Sequence, residues 1–350
     1  MGATLRAHAR RWLKACWFEL LLRSGLIGWA RWRLRRTGCA LVVNLHRILD
    51  DAEFDATHSP AGMVMRTRTF AALVAYVARR HPLIDLRRCA SPPATGLALA
   101  LTFDDGWEDN VRNAAPLLRQ AGAPACIFLC PGRMDSASPY WPETAVGVWR
   151  SAVATNGAGL TALQALLQTA LGAAACQSPE DLLALLKRLA PAARGQVLAA
   201  CVARFPAAAA PCDRTMRWDE ARSLREGDIC FGSHTMHHEI LSNLDAPAMD
   251  RELAESRRLI AVESGEDLAL FSYPNGDWNA AARARVEAAG YRLAFANDPG
   301  VWCADTDPLA IPRINLSEGK VTGPDGRFSV AALSYYLIWQ PWRVHCADRH

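Results

Sequence analysis

Seven short apolar runs, each ending in polar or turn-forming residues, constrain the fold of this chain more than any other feature. They occupy residues 39–48, 97–106, 125–132, 228–238, 268–276, 292–300 and 309–315. Parallel strands covered by helices on both faces are apolar at nearly every position instead of alternating. The seven runs therefore predict a sheet of about seven buried parallel strands.

Helical stretches separate several of these runs. Apolar residues recur at helical spacing in residues 67–81, 110–122, 246–265 and 279–290, and the last three of these stretches end in Gly, as helices often do. Repeated alternation of strand and helix predicts a (β/α) barrel or a related parallel sheet. In such folds the functional side chains collect at the carboxyl ends of the strands.

One long segment breaks the alternation. Nearly a hundred residues between Cys130 and Asp228 contain no strand-like run, and the stretches 161–176 and 179–205 are rich in Ala and Leu. We expect a helical insertion at about residues 135–225 that covers the mouth of the barrel. A separately folding domain is disfavoured because the polar faces of these helices are narrow.

The N-terminal arm, residues 1–38, is basic and aromatic. Nine of its first 37 residues are Lys or Arg and one is Glu, so this part carries +8 and the remainder of the +4 chain carries −4. Two interpretations stay open for the Trp and Arg residues: an amphipathic helix on an anionic membrane surface, or a helix packed on the protein's own body. The acidic remainder disfavours a nucleic-acid partner.

The cysteines and the N-terminal hydropathy bear on location. The eleven Cys are scattered without a CxxC pair, which is typical of buried thiols in a reducing compartment. Lys14, Glu19 and Arg23 interrupt the apolar stretch of the arm, so we expect neither a secretory signal nor a membrane span. These features predict a cytoplasmic protein, with peripheral contact at the inner face of the membrane through residues 1–37 if the arm binds lipid.

Two carboxylates follow the second apolar run directly. Asp104 and Asp105 stand in LTFDDGWEDN, and neighbouring strand residues point in opposite directions, so the two side chains can serve different tasks. Asp-Gly after a strand is also an ordinary turn, so this feature alone leaves both interpretations open.

A cluster of histidines follows the fourth run. In GSHTMHHEI, His234 and His238 are four residues apart, a spacing that places both on one side of a helical turn where they can bind one metal ion. His237 is the rival at spacing three, and surface histidines in a loop are the alternative. Two His and one carboxylate make a ligand set that leaves positions open for water.

The motifs TFDDG (102–106) and HTMHH (234–238) resemble the first two motifs of the polysaccharide deacetylases, carbohydrate esterase family 4 with its nodulation-type homology domain. The resemblance covers roughly residues 39–315. It implies a distorted (β/α) barrel of seven strands. We expect this barrel to occupy residues 39–320 and a C-terminal tail, 321–350, to pack on it.

The resemblance also implies roles for individual residues. Asp104 would be the general base, while Asp105, His234 and His238 would bind one divalent metal ion. We expect Zn²⁺, with Co²⁺, Ni²⁺ and Mn²⁺ as alternatives. FSYPNG (271–276) corresponds to the third motif of the family, in which the backbone N–H of Asn275 would donate to an oxyanion.

Two positions depart from the usual pattern of the family. Ser272 stands where the family has an Arg that pairs with the catalytic Asp, and LAIPRINL lacks the His of the last motif. The chain resembles a subgroup with His-Arg on the first strand and Ile-Pro-Arg-Ile on the last. We hypothesise that Arg313 replaces the missing Arg, and that His46 lines the site as a general acid. A structural role for His46 is an equal alternative.

The resemblance implies a hydrolase that acts on carbon–nitrogen bonds other than peptide bonds. The expected reaction is metal-dependent deacetylation of an acetylated sugar in an exopolysaccharide, a cell-envelope glycan or a glycolipid. Deformylation of a lipid-linked amino sugar is a close alternative. A non-catalytic carbohydrate-binding relic is a third interpretation, which the presence of both Asp and both His residues disfavours.

Overall fold

The structure is a computed structural model that describes residues 2–136, 139–155, 157–172, 176–206, 213–225 and 227–347, with side chains from residue 9 onward. The predicted arm, insertion and tail are therefore described except for a few positions. Those outside the described residues are 1 in the arm, 137–138, 156, 173–175 and 207–212 in the insertion, and 348–350 in the tail.

Ten strands form within the described residues. They are β1 (Cys39–Leu45), β2 (Arg47–Leu49), β3 (Val64–Arg66), β4 (Leu97–Phe103), β5 (Ala125–Leu129), β6 (Ile229–Ser233), β7 (Leu270–Ser272), β8 (Leu293–Phe295), β9 (Trp302–Cys303) and β10 (Ile314–Asn315). Seven of them make one parallel sheet in the order β10-β1-β4-β5-β6-β7-β8, with β9 antiparallel to β1. Each of the seven predicted runs contains one strand of this order, so the predicted parallel sheet is confirmed.

The last apolar run, which contains β10, contacts both β1 and the far strand of the sheet, β8. Ile311 pairs with Phe295 of β8, and Ile314 and Asn315 pair with Val43 and Asn44 of β1. Because residues 311–315 contact both ends, the sheet curls round on itself. The predicted distorted barrel is confirmed.

Alternate residues of the strands pack into two separate cores. Ala40, Val42, Ala100 and Phe128 belong to the cluster that forms the barrel interior. Six of the parallel strands supply it, together with Ile311 just before β10. Their neighbours along the strands belong to a larger cluster that includes the surrounding helices. Burial on both sides explains why these runs are apolar throughout.

Fifteen α-helices form within the described residues, and each of the four predicted helical stretches includes one of them. They are α1 (Gly2–Arg23), α2 (Leu26–Thr37), α3 (Asp51–Ala56), α4 (Thr67–Arg80), α5 (Ala115–Ala121), α6 (Trp141–Val153), α7 (Ala158–Leu171), α8 (Pro179–Lys187), α9 (Pro191–Arg204), α10 (Trp218–Ser223), α11 (Ala246–Ser264), α12 (Ala280–Ala288), α13 (Glu318–Val321), α14 (Val330–Ser334) and α15 (Gln340–Ala347). A π-helical turn, Asn110–Ala114, precedes α5, and another, Tyr335–Trp339, joins α14 to α15.

The helices α6 to α9 pack around a core of their own, made largely of Leu, Val and Ala side chains. They also contact loops at the carboxyl ends of the barrel strands. Arg194 of α9 pairs with Glu239, and Lys187 of α8 donates to Asn275. The boundaries of the insertion and of the other predicted segments stay predictions.

The two N-terminal helices pack on the C-terminal helices. Phe18 of α1 stacks on Tyr335 with ring centroids 4.3 Å apart, and Trp29 of α2 meets Trp342 edge to face at 5.0 Å. Ile27 and Leu34 of α2 are buried against the body. None of the helices within the described ranges has the length and apolar content that crossing a membrane requires.

Candidate active site

The predicted acidic and imidazole residues lie at one end of the barrel. Asp104 and Asp105 follow β4, and His234 and His238 follow β6, with only β5 between these two strands in the sheet. Parallel strands present their carboxyl ends at the same edge, so residues 130 positions apart in the sequence meet there.

Asp105, His234 and His238 converge on one point. Oδ1 of Asp105 lies 3.5 Å from Nε2 of His234 and 3.2 Å from Nε2 of His238. One ligand atom from each residue lies within 4.8 Å of the other two, as required to hold a single metal ion.

Neighbouring groups fix how these ligands point. Nδ1 of His234 is 2.7 Å from the carbonyl oxygen of Ser272, so this nitrogen carries the proton and Nε2 presents its lone pair to the centre. Trp107 Nε1 donates to Oδ2 of Asp105 at 3.0 Å, and the Tyr140 hydroxyl donates to the Asp105 carbonyl oxygen at 2.7 Å. Oδ1 of Asp105 is buried and accepts no hydrogen bond from the described residues, so the donor set fits a divalent cation.

The local electrostatics keep two of the three ligands, Asp105 and His234, in their binding forms. Burial lowers the pKa of His234 to about 4, against the opposing effect of Asp104, so its imidazole is neutral at pH 7. Burial alone would raise the pKa of Asp105, but His238 and the other nearby imidazoles outweigh it and hold the pKa below its ordinary value. A neutral imidazole and an ionised carboxylate are the forms that bind metal.

The loop after β6 differs from the helical turn that the spacing of His234 and His238 predicted. Residues 234–240 form no helical turn, because Thr235 and His238 both have positive φ, 63° and 64°. The irregular backbone nevertheless turns both imidazoles toward Asp105. His237 is half exposed, and its Nδ1 is 2.7 Å from Glu252, so the structure turns this rival away from the centre.

Asp104 is held by Arg313. The guanidinium donates from Nη1 to Oδ1 at 2.8 Å and from Nη2 to Oδ2 at 2.7 Å, a bidentate pair in which both side chains are buried. Burial alone would raise the pKa of Asp104, but the Arg313 charge outweighs it and lowers the pKa to about 2. The carboxylate is therefore ionised at neutral pH.

The remaining donors of Arg313 are also used. Nε donates to the Ala296 carbonyl oxygen at 2.9 Å, Nη1 to Thr102 Oγ1 at 3.3 Å and Nη2 to Ser272 Oγ at 2.9 Å. These contacts come from the ends of β4, β7 and β8. Ser272, at the position where the family pattern has Arg, thus contacts the guanidinium that arrives from the last strand.

His46 and Asn275 lie at the same edge. Nε2 of His46 is 4.0 Å from Oδ2 of Asp104, and burial lowers the pKa of His46 against the opposing effects of Asp105 and Asp104. Asn275 has a φ of 61°, and its backbone N–H has no acceptor among the residues that the structure describes. An N–H held free in a strained turn is suited to bind an oxyanion.

The sequence interpretation missed a second buried ionic cluster beside the site. Arg47 Nε donates to Asp109 at 2.9 Å and Nη1 pairs with Asp213, while its guanidinium lies 4.2 Å from the Trp107 ring centroid. Arg47 appeared only as part of the His-Arg motif. The two carboxylates lie 62 and 166 residues from it, and no local pattern connects them.

Tyr140 and Glu143, at the start of the insertion, were missed as well. The Tyr140 ring lies 5.1 Å from that of His238. Glu143 is buried, accepts from Ser59 Oγ at 2.9 Å, and leaves its other oxygen without a partner among the described residues. The segment PYWPET (139–144) was visible in the sequence only as the beginning of the insertion.

The arrangement brings together a three-ligand cation site, an ionised carboxylate, an imidazole and a free backbone N–H. These are the groups that metal-assisted hydrolysis of an acyl bond needs.

The chain is similar to known polysaccharide deacetylases. The sequence profile of the polysaccharide deacetylase family matches residues 92–294, more than half of the chain. Over 101 residues the chain is 26% identical to the Bacillus subtilis protein YxkH, which carries a polysaccharide deacetylase assignment. That match covers 29% of this chain and 36% of YxkH.

Two solved structures share the fold. A Streptococcus pyogenes deacetylase, solved in complex with acetate, superposes with a TM-score of 0.52 at 14% identity, covering 82% of this chain and 96% of that chain. A polysaccharide deacetylase from Bacillus cereus gives 0.54 at 14% identity, covering 82% and 67% of the two chains.

Proposed function

Because the chain belongs to the polysaccharide deacetylase family, we propose that it hydrolyses the acetyl group from an acetylated sugar of a polysaccharide or glycolipid. The bond broken is the carbon–nitrogen bond of an N-acetyl group, and the products are acetate and a free amine. The observation that carries this proposal is the pairing of Asp104 with Arg313 beside the cation site of Asp105, His234 and His238.

A divalent ion held by Asp105, His234 and His238 would supply the Lewis acid that acidifies water and polarises the acetyl carbonyl. We expect Zn²⁺, since two His and one carboxylate suit it, with Co²⁺, Ni²⁺ and Mn²⁺ as alternatives.

Asp104 is the general base of the proposed reaction. It takes the proton of the water molecule that attacks the acetyl carbon. Arg313 keeps the carboxylate ionised and holds its plane through both oxygens. The oxyanion that forms on the acetyl carbonyl then accepts a hydrogen bond from the backbone N–H of Asn275.

His46 completes the proton transfer to the leaving amine. Its lowered pKa makes the imidazole neutral at pH 7, so it can receive a proton before it donates one. With 4.0 Å between Nε2 of His46 and Oδ2 of Asp104, a small movement brings them into hydrogen-bond contact. His46→Gln should therefore lower turnover across pH 5–9, and unchanged turnover would return His46 to a structural role.

The decisive experiment measures metal content and acetate release together. Purified protein is analysed by elemental mass spectrometry and assayed on N-acetylhexosamine oligomers, with Asp104→Asn beside the wild type. We expect one divalent ion per chain in both proteins. Acetate release should fall about 10²- to 10⁴-fold in the variant, the usual contribution of a general base.

Two controls separate the alternatives. His237→Gln changes the imidazole that points away from the site, so it should keep both metal and activity. Formate release from N-formyl hexosamines, assayed in parallel, would identify a deformylase. A wild-type protein without bound metal that releases no acyl group from any acylated glycan would be a carbohydrate-binding relic, and the proposal would fail.

A further inference from the structure

The N-terminal helix α1 has two apolar faces. Phe18 and Leu21 are buried against the body of the protein. Leu13, Trp17 and Leu20 are exposed to 70%, 52% and 59%. At 100° per residue the three exposed side chains fall within about 60° of arc, so they form one stripe along the helix.

Packing on the protein's own body explains only the inner face. A helix that merely covers a domain has one apolar face and a polar outer face. Exposed single apolar residues are ordinary, but a row of large ones at spacing i, i+4 and i+7 is not. The outer stripe of Leu13, Trp17 and Leu20 is therefore left without an occupant by the residues that the structure describes, and we look for its occupant outside them.

The helix α2 extends this surface. Trp32 is about half exposed, whereas Ile27 and Leu34, on the opposite side, are buried. Trp29 is also about half exposed, but one side of its ring packs against Trp342. Arg36 lies with its guanidinium 5.1 Å from the Trp32 ring centroid. Both helices pack with their inner sides on the C-terminal helical segment, so their outer sides face away from it.

The charge around the stripe identifies the occupant. Arg10, Arg11, Arg23, Arg33 and Arg36 are exposed, and the one acid of the arm, Glu19, is paired with Arg23 at 3.3 Å. A surface of Trp and Leu surrounded by Arg matches the interface of an anionic bilayer, where indole rings lie at headgroup level and guanidinium groups meet lipid phosphates.

We propose that α1 and α2 dock the protein on an anionic lipid bilayer, with Leu13, Trp17 and Leu20 inserted at the level of the headgroups. This binding surface is separate from the metal centre and does not rest on the proposed reaction. A glycan still attached to lipid would meet the enzyme there.

Vesicle flotation of the full chain tests the proposal. Phosphatidylcholine vesicles that contain phosphatidylglycerol are compared with pure phosphatidylcholine vesicles, at low and at high salt. We expect the protein to float with the anionic vesicles at low salt, and about tenfold less with the neutral ones or at high salt.

The variant Leu13→Gln/Trp17→Gln/Leu20→Gln removes the stripe. Its matched control is Val153→Gln/Val262→Gln, which changes exposed apolar side chains elsewhere on the surface, at 50% and 67% exposure. The first should lose about tenfold or more in vesicle binding and the second should retain it. Both should keep the wild-type urea midpoint and deacetylase activity on a soluble oligomer.

Three results would overturn the proposal. They are a wild type that does not float with either vesicle, a stripe variant that floats as well as the wild type, and a wild-type dimer that becomes monomeric in the stripe variant. The last would assign the stripe to a second copy of the chain, and sedimentation velocity measures it directly.

Discussion

Two fully buried arginines, Arg313 and Arg47, occupy neighbouring regions of the molecule and do different work. Arg313 lies among the ends of the barrel strands, where its partners are Asp104, Thr102, Ser272 and the backbone of Ala296. Arg47 lies just outside them, where Asp109, Asp213, Thr57 and Ser59 bring together the connecting segments around the barrel.

The difference lies in how completely each carboxylate is satisfied. Asp213 accepts from Arg47, from the Thr57 hydroxyl at 2.6 Å and from the His58 N–H at 3.0 Å. The Asp104 carboxylate accepts only the two hydrogen bonds of Arg313 among the described residues, although an ionised carboxylate has about four acceptor positions. Asp104 thus keeps lone pairs for a proton, whereas the carboxylates around Arg47 are used up in holding structure.

Arg313→Met should give the largest effect. Without its cation, the buried Asp104 carboxylate takes up a proton more readily, because burial raises its pKa and Arg313 is the main group that lowers it. We expect kcat/KM to fall by about 10³-fold or more, roughly 4 kcal/mol, and its acid limb to move to higher pH. A pH profile measures both, and metal content should stay at the wild-type level. An acid limb that does not move would remove Arg313 from the catalytic machinery.

Arg47→Met should act on stability instead. Removing one partner of a buried ionic cluster leaves Asp109 and Asp213 without their cation and costs about 3 to 5 kcal/mol. Urea unfolding measures this loss, and kcat/KM of the remaining folded protein should fall far less than in Arg313→Met. If the two arginine variants lost equal activity and were equally stable, the assignment of Arg313 to catalysis and Arg47 to structure would be wrong.

Glu143 offers a smaller test at the edge of the Arg47 cluster. Burial, with a further contribution from Asp105, raises its pKa to about 7 from an ordinary 4.5. Between these values the folded protein holds a proton that the unfolded chain has released, so stability falls as pH rises from about 4.5 to 7. In metal-free protein, Glu143→Gln should become more stable than wild type over this window, by up to about 3 kcal/mol.

Urea midpoints at pH 5 and pH 7.5 measure the change. Glu180→Gln, an exposed acid on α8, is the matched control and should show no such window. A stability difference between Glu143→Gln and wild type that is equal at both pH values would mean that Glu143 is ionised in the folded protein.

Signals confined to a few neighbouring residues were enough to predict the sheet and to nominate the site. Seven apolar runs specified seven strands, because burial on both faces leaves a local mark. The motifs around Asp104 and His234 nominated the metal ligands and the base. The helical turn predicted after β6 was wrong, because positive φ at Thr235 and His238 has no sequence signature.

What depends on long-range packing could not be predicted. Ser59 and Glu143 are 84 residues apart, and Arg47 and Asp213 are 166 apart. In the sequence each of these residues is an ordinary polar position, and only the folded barrel brings them together. The pairing of Arg313 with Asp104 could be hypothesised because this sequence has Ser272 where the family pattern has Arg. The Asp104 carboxylate therefore needed another partner.

Lys187→Met gives the smallest expected effect and asks whether the insertion takes part in the site. Lys187, from α8, donates to the side chain of Asn275. The backbone carbonyl oxygen of Lys187 accepts a hydrogen bond from the Asn243 side chain at 2.8 Å. Losing a charged hydrogen bond to the turn that carries the Asn275 N–H should lower kcat/KM about tenfold, roughly 1.4 kcal/mol. Arg188→Met, the exposed neighbour on the same helix end, should leave kcat/KM unchanged. Equal effects of the two substitutions would limit the catalytic machinery to the barrel. A loss specific to Lys187 would mean that the insertion holds the oxyanion turn in place, as Arg313 holds the base.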